Sequence, residues 1–236
     1  MYKVPIGDYL VTLSPPISTG GFGSVHHAEC KLSGKQAVAK QFLINSSRST
    51  EFRRDMVTRE KTILKQLKPH PNIVTFYDYV EDNEVVGWIF MELCELGNLY
   101  DYLKDNRDLG LIEKTEMFDQ CASAILFMHQ QNPPIVHRDI KLTNILLKKE
   151  RAQTVLKLAD FGISKCLRRA DTSRTMFESL TTKCGSNFYM APELWGEQGQ
   201  GLSYCPAVDI FALGLVFLVI FENGPDTIEP IPISGK

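Results

Sequence analysis

Residues 136–147 read VHRDIKLTNILL, with two apolar residues at the start and an apolar run at the end. Between them lie His137, Arg138, Asp139, Lys141 and Asn144. The apolar ends favour burial, whereas a polar group that leaves water costs free energy unless it finds a partner. The stretch therefore predicts a polar loop that is anchored in the core at both ends. On these residues alone, an ordinary polar turn remains the alternative.

Hydrophobic periodicity divides the rest of the chain into two parts. Short strands are predicted around Ile17 and over residues 25–31, 36–42, 74–80 and 87–91. One helix between the third and fourth strands is ended by Pro69, and its apolar residues recur at helical spacing: Phe52, Met56, Ile63, Leu64 and Leu67. Beyond residue 97 helices dominate, and a second, longer helix ends before the sequence NPP. Its apolar stripe consists of Met117, Cys121, Ala124, Ile125 and Met128.

Glu60 has an unexpected position in the first helix. It follows Met56 by four residues and precedes Leu64 by four, which places a carboxylate on the face that should be buried. A buried charge requires a cation partner, and Lys40 in the strand AVAKQF is the nearest candidate. The alternative is equally compatible with these residues: Lys40 ends a strand and Glu60 points into water.

The sequence STGGFGSV, residues 18–25, is rich in glycine and returns to a strand at Val25. Glycines let backbone N–H groups approach an anion, but hairpin turns also use them. The motif lacks the pattern G-x-x-x-x-G-K-[ST], and a strand follows it where a dinucleotide-binding motif would have a helix. Both of those nucleotide-binding folds are therefore disfavoured.

Taken together, GGFGSV, Lys40, Glu60, HRDIKLTN, DFG at 160–162 and APE at 191–193 resemble the eukaryotic protein kinase family, in the same order. The resemblance runs from about Tyr9 to Phe221. It implies an α+β, bilobal fold with an N-terminal antiparallel sheet plus one helix and a mainly helical C-terminal lobe. The corresponding boundaries are 1–92 for the ATP-binding lobe, 93–97 for the hinge and 98–236 for the catalytic and substrate lobe.

The same resemblance assigns catalytic roles, with ATP and Mg²⁺ as cofactors. Lys40 would bind the α- and β-phosphates and would be held by Glu60. Asp160 and Asn144 would each hold a Mg²⁺ ion. Asp139 would accept or orient the proton of the substrate hydroxyl, and Lys141 would neutralise the phosphate that is transferred. His137, Phe161 and Leu64 would form an internal stack that couples the lobes, with Asp209 supporting the backbone of His137 and Arg138.

The ATP site that the resemblance implies has a phosphate-binding loop, an adenine sandwich, a gatekeeper and a hinge. The phosphate-binding loop would consist of Ser18, Gly20, Gly21, Phe22 and Gly23, with Lys40 at the phosphates. Val25, Val38 and Leu146 would sandwich the adenine, Met91 would be the gatekeeper, and Glu92 to Cys94 would form the hinge. Two residues of this ATP site depart from the family pattern: Ser18 replaces the first glycine of the loop, and Val38 stands where alanine is usual.

Substrate class and regulation also follow from the resemblance. Lys141, together with Ser186 as a substrate-docking residue in CGSNFYMAPE, resembles the serine/threonine branch, so the expected partner is a protein with a Ser or Thr acceptor. Thr182 matches the activation-loop site of an upstream kinase, and Arg138 and Lys165 match the cations that bind its phosphate. Thr181 or Ser179 could be the acceptor instead, or the segment could simply be solvated.

Composition bounds the remaining possibilities. The 236 residues carry a net charge of −2, which gives no global attraction to nucleic acid or anionic lipid. The six cysteines are scattered, so neither disulfides nor a zinc site are predicted, and the N-terminus does not resemble a signal peptide. A cytoplasmic or nuclear location is expected. The apolar stretch from Asp209 to Phe221 is too short for a membrane span and predicts a helix buried on every side.

The C-terminal end departs most from the family. The resemblance implies further helices after Phe221, one of which would pair with Glu193, but the sequence stops at Lys236. We therefore expect a lobe that lacks its last helices, in a fragment, an isoform or a minimal domain. The sequence thus predicts an active serine/threonine kinase, and the alternative is a catalytically impaired scaffold or nucleotide-binding module.

Overall fold

The computed structural model describes residues 2–20, 23–43, 50–82, 86–166, 187–192, 205–222 and 224, with side chains omitted at 50–53, 165 and 187. The N-terminal part is an antiparallel sheet with the order β1-β2-β4-β5-β7-β6, in which β3 also pairs with β4. Its strands are β1 (Lys3–Ile6), β2 (Tyr9–Thr12), β3 (Ser18–Gly20), β4 (Gly23–Cys30), β5 (Gln36–Leu43), β6 (Phe76–Asp82) and β7 (Val86–Glu92).

The two faces of this sheet bury different side chains because residues alternate along each strand. On one face Tyr9 stacks on Phe90, with ring centroids 4.0 Å apart, over the small residues Ala28 and Ala39. On the other face, Val38, Phe42, Ile89 and Met91 belong to the main core. Helix α1 (Thr50–Gln66) supplies Val57, Ile63 and Leu64 to that same core, which confirms the helix predicted between the strands.

The C-terminal part is mainly helical, with α2 (Leu99–Asp105), α3 (Leu111–His129) and α4 (Ala207–Phe221). Two short sheets accompany the helices: β9 (Ile145–Glu150) pairs with β10 (Gln153–Leu158), and β8 (Ile135–Val136) pairs with β11 (Lys165–Cys166). The predicted stripe of α3 is buried from Met117 to Met128. The bilobal α+β fold class is therefore confirmed.

Backbone contacts join the two parts beside the connecting segment. Ile73, in the link from α1 to β6, forms a parallel bridge with Leu158 at the end of β10. The N–H of Val74 donates to the carbonyl of Leu158 at 3.0 Å, and the N–H of Leu158 donates to the carbonyl of Asn72 at 2.9 Å. This link aligns the end of β10 with the sheet, so that the following Asp160 is directed towards β5.

The strand predictions were incomplete at the N-terminus. A single strand was expected around Ile17, but two strands, β1 and β2, precede that residue, and Ile17 itself lies outside any strand. Pro15 and Pro16 separate β2 from β3, because proline cannot donate the hydrogen bonds of a ladder. The prediction of a strand from Val74 was also early, since β6 begins at Phe76 and Val74 bonds to Leu158 instead.

The prediction that α4 is buried on every side was wrong. Val208, Ala212, Val216 and Ile220 are buried at helical spacing, but Ile210, Phe211 and Leu218 are 53%, 39% and 40% exposed. Composition alone suggested an all-round apolar helix, whereas packing covers one face. Among the described residues, no helix is both long enough and apolar enough to cross a membrane.

Candidate active site

Lys40, Glu60 and Asp160 form a cluster in the cleft between the two lobes, which we call the cleft cluster. Lys40 lies on β5, Glu60 on α1 and Asp160 just beyond β10. The ammonium Nζ of Lys40 donates to both carboxylate oxygens of Glu60 at 2.9 Å and to Oδ1 of Asp160 at 2.8 Å. One ammonium thus bridges two carboxylates from segments that are far apart in the sequence.

Glu60 is the buried member of the cleft cluster, with a relative exposure of 1%. Burial raises the pKa of Glu60 to about 7 because desolvation disfavours its charged form; Lys40 opposes this shift and the nearby Asp160 adds to it. Burial also works against the charged form of Lys40, but the two carboxylates outweigh it and raise the pKa of Lys40. The ammonium therefore remains charged at neutral pH.

Asp160 is the accessible member, and its side chain is 36% exposed. Desolvation would raise the pKa of this carboxyl, but Lys40 outweighs it and lowers the pKa, so Asp160 is ionised at neutral pH. Its backbone φ is +64°, in the left-handed region that residues with a side chain seldom adopt. Such strain persists where the surroundings hold it, and it commonly marks a functional position.

The loop that contains Asp139 lies next to this cluster. Oδ2 of Asp139 accepts hydrogen bonds from Nζ of Lys141 and from Nδ2 of Asn144, both at 2.8 Å. The carbonyl of Asn144 accepts a bond from the N–H of Ala159 at 2.9 Å, which ties the loop to the residue before Asp160. Oδ1 of Asp139 accepts no hydrogen bond within the described residues, so it is the oxygen that can receive a proton.

The buried side chains of Asp209 and His137 hold the loop that contains Asp139. The carboxylate of Asp209 on α4 accepts bonds from the N–H groups of His137 and Arg138, both at 2.8 Å. The fully buried His137 ring lies 5.0 Å from the Phe161 ring, edge to face, and its Nε2 is 3.0 Å from the carbonyl of Ala159. Burial lowers the pKa of His137, which keeps the ring neutral, and the carbonyl of Ala159 beside Nε2 selects the tautomer that donates from Nε2.

The side chains predicted for the adenine site lie in or against the main apolar core. Val38 and Met91 pair across β5 and β7, and Val25 and Leu146 pack against the same core. Burial raises the pKa of the Cys94 thiol to about 12, so the thiol is protonated. In the glycine-rich loop, Gly23 has φ +145°, and a Cβ there would lie 1.8 Å from the carbonyl oxygen of Gln41, so no other residue fits.

A second charged cluster lies where β7 meets the segment that connects the lobes. We call it the hinge cluster: Glu92, Lys148, Glu150 and Lys157. Oε2 of Glu92 lies 2.7 Å from Nζ of Lys148, and Oε1 lies 3.3 Å from Nζ of Lys157. From the sequence, only the backbone of Glu92 was predicted to have a role, in binding adenine. No sequence pattern indicated that its carboxylate would be buried in a charged cluster.

The comparisons with known proteins agree with this geometry. A family model of the protein kinase domain matches residues 12–226. The chain belongs to the protein kinase family. Among curated kinases, the hormonally up-regulated neu tumor-associated kinase of Mus musculus is 29% identical over 231 residues, which cover 98% of this chain and 30% of that protein.

Two other relatives of this kinase domain are named serine/threonine-protein kinases. DCLK3 of Mus musculus is 32% identical over 216 residues, which cover 91% of the chain and 25% of that protein. Nek4 of Mus musculus is 32% identical over 200 residues, which cover 84% of the chain and 23% of that protein. The chain thus spans less than a third of the length of these relatives.

The donor set of the kinase cleft fits a Mg²⁺ ion. The described residues contain no group of three or more His, Cys, Asp or Glu side chains that could hold a metal, so any cation would need further ligands such as phosphate oxygens and water. Asp160 offers a partly exposed carboxylate. Nδ2 of Asn144 donates hydrogen bonds to Asp139, so the side-chain oxygen of Asn144 can bind a cation. A bound Mg²⁺ would neutralise charge on the phosphates of ATP.

The regulatory and substrate-docking predictions are only partly within the described residues. The guanidinium of Arg138 donates from Nε to the carbonyl of Ile163 at 2.6 Å and also from Nη2 to the same oxygen, and its φ is +71°. Gly21, Phe22, Thr182, Ser186 and Glu193 lie outside the described residues, as does the side chain of Lys165. Their predicted roles stay predictions.

Besides the hinge cluster, sequence reasoning missed one supporting contact. Nε2 of His129, at the end of α3, lies 2.8 Å from Oδ2 of Asp209. His129 therefore helps to hold the carboxylate that supports the loop containing Asp139. The only available signal was a polar residue next to the buried Met128, which is too common at helix ends to indicate a role.

Proposed function

We propose that this kinase domain transfers the γ-phosphoryl group of Mg-ATP to a serine or threonine hydroxyl of a protein. The observation that carries the proposal is the convergence of the cleft cluster and the catalytic loop. Lys40 contacts Asp160 at 2.8 Å, Asn144 contacts Asp139 at 2.8 Å, and the Ala159 N–H joins the two groups through the carbonyl of Asn144. The groups that we propose as phosphate-binding cation, metal ligands and proton acceptor are therefore joined by one series of short hydrogen bonds.

Lys40 supplies the positive charge for the phosphates of ATP. The ammonium already bridges Glu60 and Asp160, so its position is fixed before the nucleotide arrives. Preorganised charge of this kind stabilises a transition state without reorganisation of the site. Glu60 acts through Lys40 as a positioning residue, because it is buried and makes two hydrogen bonds to the same ammonium.

Asp139 is the group that meets the acceptor hydroxyl. The hydroxyl oxygen forms a bond to the γ-phosphorus, the bond from that phosphorus to the bridging oxygen breaks, and ADP leaves with the electron pair. The hydroxyl proton passes to Oδ1 of Asp139, while Oδ2 stays bound to Lys141 and Asn144. Lys141, which lies beside Asp139, balances charge on the transferred group. This lysine and the names of DCLK3 and Nek4 support serine or threonine as the acceptor.

Replacing Asp139 by Asn tests the proposal. The variant keeps one side-chain oxygen, which can take the place of Oδ2 and accept the bond from Lys141, but its amide group cannot take the proton, so kcat for a generic protein substrate should fall by about 10²- to 10⁴-fold. The affinity for Mg-ATP, measured by calorimetry, should change little. The matched control is Asp119→Asn, which changes an exposed acid on α3. Wild-type protein that binds nucleotide without transferring phosphate would favour the scaffold alternative.

We also propose that phosphorylation of Thr182 activates the enzyme. Arg138 supports this idea because its guanidinium lies beside Ile163, at the start of the segment that leads to Thr182. A phosphate adds about −1.5 to −2 charge, which a neighbouring Arg can bind. In Thr182→Ala, pretreatment with an activating kinase should no longer raise turnover, whereas Thr181→Ala should still respond. Equal activation of the two variants, with phosphate mapped elsewhere by mass spectrometry, would contradict Thr182.

A further inference from the structure

The carboxylate of Glu92 is buried although Glu92 is the last residue of β7, where the connection between the lobes begins. Oε1 accepts hydrogen bonds from the N–H and the hydroxyl of Thr75 at 2.7 and 2.8 Å. Oε2 accepts a bond from Lys148 at 2.7 Å. Lys157 contributes a second ammonium at 3.3 Å from Oε1. Both oxygens are thus fully used.

The two lysines come from one hairpin of the other lobe. Lys148 lies on β9 and Lys157 on β10, whereas Glu92 and Thr75 belong to the N-terminal lobe. Glu150 lies 3.4 Å from both ammonium groups, so two carboxylates face two lysines and the cluster is neutral. A neutral and saturated set of this kind has no remaining capacity for a ligand. It connects the N-terminal lobe to the β9–β10 hairpin.

The segment after Glu92 is held by the same strand. The N–H of Leu96 donates to the carbonyl of Leu147 at 3.1 Å, and the N–H of Leu147 donates to the carbonyl of Gly97 at 2.8 Å. The N–H of Lys149 donates to Oε1 of Glu95 at 2.9 Å. The connection between the lobes is therefore attached to β9 from Glu95 to Gly97 and at Glu92, where the attachment is the contact with Lys148.

We propose that Lys148 is a positioning residue for ATP: by binding the Glu92 carboxylate it fixes the backbone of residues 92–94 against which the adenine base binds. This inference rests on the proposed function. A backbone edge that is held in place before binding loses less conformational entropy when the base arrives. Lys148 touches neither substrate nor metal ligands, so it acts on nucleotide affinity and leaves the phosphoryl-transfer step to the cleft cluster and Asp139.

The experiment compares Lys148→Met with Lys149→Met. Lys148 is 27% exposed, so methionine can fill its place, and Glu92 keeps Thr75 and Lys157. Lys149 is the next residue on β9, exposed and on the opposite face, and its backbone bond to Glu95 survives the substitution. The readouts are the Kd for Mg-AMP-PNP by calorimetry, and KM for ATP and kcat with a protein substrate. Thermal melts check that each variant is folded.

We expect Lys148→Met to raise both Kd and KM by about 3- to 10-fold with kcat within about twofold, and Lys149→Met to match wild type. Lys148→Arg, which keeps the positive charge, should restore most of the affinity. In a Glu92→Gln background, Lys148→Met should add little, because its partner has lost its charge.

Other results would overturn the inference. Unchanged Kd and KM in Lys148→Met, or a lower kcat at constant KM, would show that the contact does not position the nucleotide. An equal loss in Lys149→Met would point to a general effect of charge on β9. Failure of the wild-type protein to bind Mg-AMP-PNP would overturn the proposed function as well. If the wild-type protein binds normally and Lys148→Met has the same Kd and KM, only the inference about Lys148 is overturned.

Discussion

The cleft cluster and the hinge cluster use the same chemical groups and differ in charge. Each contains a buried carboxylate from the N-terminal lobe and lies between segments that are distant in the sequence. In the cleft, one ammonium serves two carboxyl groups, so the carboxyl groups outnumber the ammonium groups by one. At the hinge, two ammonium groups serve two carboxylates, so the numbers of positive and negative groups are equal.

The pKa values of the two buried glutamates follow this difference. Burial favours the neutral form of both. At the hinge, bonds from Lys148 and Thr75 outweigh burial and lower the pKa of Glu92. In the cleft, Lys40 is shared with Asp160 and cannot outweigh burial, so the pKa of Glu60 rises to about 7. An unbalanced cluster is suited to receive a cation, and a balanced one is suited to hold two lobes together.

The largest effect that this comparison predicts is on the cleft. In Asp160→Asn the excess negative charge disappears, and with it the carboxylate proposed for Mg²⁺. Turnover should fall by at least about 100-fold, as expected when a transition-state charge partner is removed. The stability of the nucleotide-free protein should stay within about 1 kcal/mol of wild type, because Lys40 keeps Glu60 as its partner. Steady-state kinetics and urea denaturation measure the two effects.

A different result would reveal a structural role for Asp160. If Asp160→Asn unfolded at clearly lower urea concentration, the carboxylate would be needed to hold the lobes, and the distinction between the clusters would fail. Retained turnover with Mg-ATP would contradict its role in the cleft. Melting temperatures with and without Mg-ADP separate these cases, since the variant should lose the stabilisation that bound nucleotide gives to the wild-type protein.

The residues of the cleft could be predicted from sequence because they lie in motifs. Lys40, Asp139 and Asp160 each stand at a fixed place in a short pattern, and helical spacing placed Glu60 on the apolar face of its helix but left open whether its side chain points into water. The hinge cluster could not be predicted, because Lys148 is 56 positions from Glu92 and charged residues are normally assigned to the surface. Local patterns carry no information about such pairings.

The fold was predicted unevenly for a related reason. Helices α1 and α3 have long periodic stripes, and both were found where the spacing placed them. Strands β1 and β2 have four residues each, too few for alternation to show. In α4, composition predicted burial on every side, but burial depends on which neighbours reach each face, and Ile210 remains exposed.

The smaller effect expected from the comparison is on the hinge. Glu92→Gln leaves two ammonium groups with one carboxylate, Glu150, which is itself largely exposed. Removing one partner from a buried ion pair commonly destabilises by about 3 to 5 kcal/mol; because glutamine can still accept bonds from Thr75, we expect about 2 to 3 kcal/mol. Urea denaturation at pH 7.5 measures the loss, with the exposed Glu116→Gln as a control expected within about 0.5 kcal/mol.

The pH dependence of this loss identifies its cause. The pKa of Glu92 in the folded protein lies below the ordinary value of 4.5, so the ionised carboxylate stabilises the fold above that pH, and the contribution is lost as the pH falls through the lowered pKa. The difference between wild type and Glu92→Gln should therefore be complete from pH 6 to 8 and should shrink below about pH 4.5. A difference that stays constant down to pH 3.5 would mean that the shape of the side chain matters and its charge does not. The hinge cluster would then not be the neutral counterpart of the cleft cluster.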